Sequence, residues 1–132
     1  MLIECELTRI IIDENKESQV IILKEKEGQR AFPIVIGIFE AMAIDRRLKN
    51  IPYPRPLTHD LLANVIEGLN SRLERIVITE LRDNTFFAKL TLGTAAGTVE
   101  IDSRPSDAIA LGVRMGAPIF VEDEVLNKVS SP

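Results

Sequence analysis

Gly97-Thr-Val-Glu-Ile-Asp-Ser-Arg-Pro-Ser-Asp-Ala-Ile-Ala-Leu111 alternates like a strand over its first five residues. It then turns within Asp102-Ser-Arg-Pro-Ser-Asp107 into a helix that good helix formers carry on to Met115. Two carboxylates, a guanidinium and two hydroxyls crowd this corner between apolar segments. Charges so placed are costly unless they pair or hydrogen-bond. The corner is therefore either a satisfied structural turn or a site. In the structural reading Ser103 is the N-cap, Pro105 fits the first helical turn, and Asp107 complements the helix dipole. Arg104 then pairs with Asp102 or Asp107.

Working outward, a strand over 97–101 feeding a helix has a counterpart earlier in the chain. Residues 2–12 read as a strand ending in Ile10-Ile-Ile12. The polar turn Asp13-Glu-Asn-Lys-Glu-Ser18 leads to a second strand, Gln19-Val-Ile-Ile-Leu23, and Glu27-Gly28 to a third, Arg30-Ala-Phe-Pro-Ile-Val-Ile36. Pro33 cannot donate to a ladder and belongs at an edge or a bulge. Gly37 marks the switch to a helix over about 38–49. Asn50-Ile-Pro-Tyr-Pro-Arg-Pro56 holds three prolines and must be extended. Thr58 is the expected N-cap of a helix whose Leu61, Leu62, Val65, Ile66 and Leu69 follow at helical spacing. The segments 75–81 and 86–92 flank Asp83-Asn84 as a hairpin. Pro118-Ile-Phe-Val121 is a short strand, and the last ten residues are polar enough for one short helix.

These elements predict a single α+β domain over 1–132, with mixed or antiparallel sheets and packed helices. They also predict an internal duplication of a strand-strand-strand-helix unit, over about 1–70 and 71–132. At an offset of 67 residues (107 minus 40), Glu40 matches Asp107, Ala41 matches Ala108, Ala43 matches Ala110 and Arg47 matches Arg114. Pseudo-symmetric packing would bring Glu40 and Asp107 to one cleft.

Hydrophobic residues make up 45% and charged residues 27% of 132, an ordinary globular composition able to bury a core. No apolar run approaches the roughly 20 residues of a membrane span, and the N-terminus lacks a signal-peptide pattern, so no membrane partner and a cytoplasmic setting are expected. The single cysteine, Cys5, excludes an intrachain disulfide and any multi-cysteine metal site, and its strand context makes it a core residue. A net charge of −4 argues against a broad basic nucleic-acid face but not against catalysis.

Three further segments carry chemistry. His59, the one histidine, lies in Arg55-Pro-Leu-Thr-His-Asp60, suited either to acid-base work or to an exposed helix start. Glu40 opens an apolar helix, as a dipole complement or as an acid aimed into a pocket. Arg46, Arg47, Lys49 and Arg55 hold four cations around Tyr53 with no anion between them, a pattern for phosphate contact and base stacking or for a solvated helix end. No phosphate-binding glycine loop, metalloprotease histidine pair or serine elbow is present.

Pro33-Ile-Val-Ile-Gly37 with Glu40-Ala41, Arg55-Pro-Leu-Thr-His-Asp60 and Asp102-Ser-Arg-Pro-Ser-Asp-Ala-Ile-Ala-Leu111 resemble, in that order, the motifs of the bifunctional nuclease domain family. The resemblance covers about residues 2–125. It implies a duplicated α+β domain, self-association as a homodimer or higher homo-oligomer, and action on RNA and DNA. It implies Glu40, His59, Asp60, Asp102, Arg104 and Asp107 as the catalytic group, with His59 as acid or base and Arg104 as phosphate clamp. Arg46, Arg47, Lys49, Tyr53, Arg55, Ser103 and Ser106 would contact substrate. Carboxylates grouped in this way suit Mg²⁺ or Mn²⁺ as cofactor. The competing expectations are a non-catalytic oligomeric interaction or small-ligand-binding module and, third, hydrolysis of a small phosphoester or nucleotide.

Overall fold

The computed structural model describes residues 1–129; the end of the polar tail, 130–132, lies outside the described residues. The strands are β1 (Leu2–Ile11), β2 (Ser18–Glu25), β3 (Ala31–Gly37), β4 (Arg72–Arg82), β5 (Thr85–Thr94), β6 (Gly97–Ser103) and β7 (Ile119–Glu122). The helices are α1 (Ile38–Leu48), α2 (Thr58–Gly68), α3 (Pro105–Met115) and α4 (Asp123–Val129).

All seven strands form one mixed sheet in the order β3-β2-β1-β7-β4-β5-β6. Its pairs are antiparallel except β4 with β7. Each half is a three-stranded meander followed by a helix, and the meanders flank β7. Pro33 lies in β3, an edge strand, where a missing N–H costs least. Asp83 and Asn84 both have positive φ (52° and 60°), which is what a tight two-residue hairpin requires.

The sheet curls. In a flat sheet, β3 and β5 would stand five strand spacings of about 4.8 Å apart, or roughly 24 Å. Instead the rings of Phe32 on β3 and Phe86 on β5 have centroids 5.7 Å apart. Helix α4 packs on β3 as well as on β4 and β7, so it bridges the inside of the curl. Arg30 fastens that closure, donating to Asp123 (2.8 Å) and Asn127 (2.7 Å) of α4 and to Glu25 of β2 (2.7 Å). The Arg30 guanidinium and then the Arg30 backbone N–H, both donating to Glu25, hold its carboxyl down at about 2.

On β3 the pleat buries Phe32, Ile34 and Ile36 and exposes Pro33 and Val35. Cys5 is buried as expected, and burial pushes its thiol up to about 11, too high for a nucleophile at neutral pH. Buried Gln19 is satisfied by closing the first turn, donating to the Asp13 and Lys16 carbonyls and accepting from the Asp13 N–H.

Helix α1 packs on β2 and β3, and α3 packs on β4 and β5 and against both α1 and α2. Both α1 and α2 stop at an asparagine in the left-handed region, Asn50 (φ 55°) and Asn70 (φ 58°). The amides that follow close back on the last turn, Ile51 to the Arg46 carbonyl and Ser71 to that of Ile66. Two expected caps are corrected. Leu57, not Thr58, precedes α2, because the Asp60 carboxylate reaches back to the Leu57 N–H (3.0 Å) and satisfies that end from inside the helix. Arg104, not Ser103, precedes α3, because the Ser103 hydroxyl donates to the Arg104 carbonyl (2.9 Å) at the end of β6.

Closure of the curl predicts unequal costs along one strand. Phe32→Ala should destabilise the fold by about 3–5 kcal/mol in urea unfolding, whereas Val35→Ala, at an exposed site, should stay within about 0.5 kcal/mol. Similar losses for both would contradict the packing described.

Candidate active site

Three helices each place a carboxylate at their third residue: Glu40 in α1, Asp60 in α2 and Asp107 in α3. An acid there complements the helix dipole. In this fold each of the three also meets a positive or proton-bearing partner from another segment.

Asp60 is the most heavily engaged. Its carboxylate accepts from the Leu57 amide (3.0 Å) and Arg114 Nε (2.9 Å), and lies 3.5 Å from Arg46 Nη2. The Leu57 amide first, then Arg114 and Arg46, hold its carboxyl below the ordinary aspartate value of 3.8, against the upward push of burial. Asp107 Oδ1 stands 3.0 Å from His59 Nε2. A carboxylate only accepts, so Nε2 carries the hydrogen of this bond, and Nδ1 is the ring nitrogen left for other contacts. His59 is buried, not exposed as a plain helix start would leave it. Glu40 Oε1 lies 3.6 Å from Arg104 Nη1, so Arg104 pairs with neither aspartate of its own corner. The carboxylate of Glu40 folds over Gly37, where a Cβ would come within 2.7 Å of it.

Two adjoining clefts open on this group. One, of about 400 Å³, is lined by Arg46, Arg47, Tyr53, Asp60 and Arg114 with the proline loop. The other, of about 640 Å³, is lined by Phe39, Glu40, Leu57, Leu61 and Asp107. His59 and Arg46 form part of both walls. The Arg46 guanidinium also lies 4.5 Å from the centroid of the Tyr53 ring.

Glu40, His59, Asp60, Asp107, Arg46, Arg47 and Tyr53 are thus brought together, with Arg104 at the edge through Glu40. Asp102 is not. It lies on β6 opposite Lys89 of β5, exposed, lining neither cleft and making no ion pair among the described residues. Lys49 pairs with Asp45 (3.0 Å), and Arg55 lines neither cleft. Ser103 is bound to its own corner, and the buried Ser106 hydroxyl has no hydrogen-bond partner among the described residues. Arg114 carries the site but was not singled out by motif. Its signal was spacing, seven residues after Asp107 on the same face of α3.

The donor set does not suit Mg²⁺ or Mn²⁺. These ions need several hard oxygens converging on one point, and no group of three His, Cys, Asp or Glu residues does so among the described residues. Instead Glu40, Asp60 and Asp107 each answer a separate cation or imidazole. The arrangement can hold an anion, and it can accept a proton at His59 Nδ1.

A family model described as the bifunctional nuclease domain matches residues 21–132. The chain belongs to that family. An uncharacterized protein of Mycobacterium tuberculosis is 37% identical over 123 residues, 93% of this chain and 73% of that protein. Bifunctional nuclease 1 of Oryza sativa subsp. japonica is 28% identical over 109 residues, 80% of this chain and 33% of that protein. Bifunctional nuclease 1 of Arabidopsis thaliana is 28% identical over 105 residues, 76% of this chain and 32% of that protein. The chain therefore spans about a third of the length of these plant members of the family. Their name supports a nuclease-related role. No described helix is long and apolar enough to cross a membrane.

The Asp60 contacts give a prediction with a defined pH sense. A carboxyl lowered by folding stabilises the fold above its unfolded-state value and loses that contribution as pH falls through its folded value. Asp60→Asn should cost about 1–3 kcal/mol at neutral pH. The difference from wild type should narrow as pH drops below the ordinary value of 3.8. Urea unfolding across this range checks it, and a gap that does not change with pH would contradict it.

Proposed function

We propose that this domain hydrolyses phosphodiester bonds of RNA or DNA, with His59 and Asp107 as its acid-base pair. The observation that carries this reading is the 3.0 Å bond between His59 Nε2 and Asp107 in a chain of this family, with His59 lining both clefts and Asp107 lining the larger one. Asp107 fixes the imidazole by accepting from Nε2, and Nδ1 takes a proton from an attacking water as its oxygen bonds to phosphorus. The bond from phosphorus to the leaving oxygen breaks, and that oxygen takes up a proton from solvent. Arg46 and Arg114 keep guanidinium donors beyond those spent on Asp60, and these neutralise the phosphoryl oxygens. Water as nucleophile needs no 2′-hydroxyl, so both polymers are substrates in principle.

Self-association, as a homodimer or higher homo-oligomer, is part of the same proposal. Leu61, Leu62 and Val65 of α2, with Leu69 just beyond its end, leave an apolar stripe exposed, which a second copy would cover. The same stripe favours the competing reading, an oligomeric interaction module without catalysis.

Cleavage of labelled single- and double-stranded RNA and DNA separates the two readings. His59→Ala and Asp107→Asn should each lower the rate by about 10²–10⁴-fold while the proteins stay folded, and activity should persist in EDTA. Loss in EDTA with recovery in Mn²⁺ or Mg²⁺ would return a metal to the account. Unchanged rates in both variants would remove the pair from the mechanism, and no cleavage under any condition would favour the interaction module.

A further inference from the structure

The 400 Å³ cleft has a character that hydrolysis alone does not require. In a chain of net charge −4 its walls carry three guanidinium groups, Arg46, Arg47 and Arg114, against the one carboxylate of Asp60. Asp60 engages one nitrogen of Arg114 and one of Arg46, which leaves most of their N–H groups without a partner among the described residues. Arg47 is exposed and makes no ion pair among the described residues. Local charge here is positive and its donors are unspent, the condition for holding a phosphate.

Beside these cations stands Tyr53, half exposed, with the Arg46 guanidinium against its ring. Pro52, Pro54 and Pro56 surround it in the loop and restrict the backbone, so the ring is presented with little conformational freedom left to lose. An aromatic platform next to cations is the pairing that holds one base and its phosphate. The cleft volume is at the small-ligand scale of roughly 300–1,000 Å³, not that of a polymer groove.

We propose that this cleft is a subsite for one unpaired nucleotide, with the base stacked on Tyr53 and the phosphate held by Arg47 and Arg114. It follows that the substrate class of the adjoining site is single-stranded nucleic acid. This rests on the phosphodiester reading of His59 and Asp107. Bases inside a duplex are stacked on both faces, so none can lie on Tyr53 without first being unstacked. A duplex would bind only where its strands part.

Tyr53 is the one tyrosine and the chain has no tryptophan, so intrinsic emission reports on this loop alone. Asp107→Asn protein, chosen to slow turnover, would be titrated with an oligothymidylate and with a fully paired duplex of equal length. The single strand should quench Tyr53, and the duplex should bind at least about ten-fold more weakly. By anisotropy of a labelled strand, Tyr53→Leu should weaken binding about ten-fold and Tyr53→Phe about two-fold or less. Arg47→Ala should weaken binding and flatten its salt dependence by about one phosphate contact. Equal binding of duplex and single strand, or unchanged affinity in Tyr53→Leu, would overturn the subsite. Strand binding with Tyr53 quenching but no cleavage would keep the subsite and remove the nuclease reading. Cleavage with neither strand preference nor quenching would do the reverse.

Discussion

The carboxylate of Asp60 joins three helices at one point. From the first turn of α2 it holds its own helix end through the Leu57 amide, then reaches Arg114 in the last turn of α3 and Arg46 in the last turn of α1. Each charge also suits its place on its own helix, acid at an N-terminus and cations at C-termini. Because Asp60 fixes the start of α2, it fixes His59 one residue before it, and so the meeting of His59 with Asp107. Both clefts are spaces left between helices that this contact holds together.

The same constraint explains a local positive charge in an acidic protein. One aspartate holds two arginines without exhausting either, because a guanidinium has five donors, of which Arg114 gives one to Asp60 while Arg46 meets it only as an ion pair at 3.5 Å. Positive charge is thereby concentrated on the cleft wall while most other cations of the chain are dispersed or paired, as Lys49 is with Asp45. Carboxylates committed in this way are positioning groups for cations and imidazole. That distribution is poorly suited to a metal cage and well suited to an anion.

Much of this order was legible in the sequence. Alternation gave the strands, Pro33 marked an edge, Asp83-Asn84 marked a hairpin, and Gly37 and the proline loop marked the bounds of α1. The curl of the sheet was not legible, because the contact of Phe32 with Phe86 joins residues far apart in both chain and strand order. The site was partly legible. Glu40, His59 and Asp107 sit near helix starts, where chain direction changes and polar groups gather. Asp102 shares a motif with Asp107, yet the strand-to-helix turn at Arg104 and Pro105 leaves it on an exposed edge strand. Nearness in sequence misleads where the backbone reverses its path. Arg114 was hidden for the opposite reason, since its partner Asp60 is 54 residues away in the chain.

Amide chemical-shift mapping of the Asp107→Asn protein with a short single-stranded oligonucleotide would test the account most directly. Perturbations should concentrate in the last turn of α1, the proline loop, His59 and its neighbours, and the last turn of α3. A response centred on β6 around Asp102, or no response at this cleft, would contradict a nucleic-acid site built on the Asp60 junction.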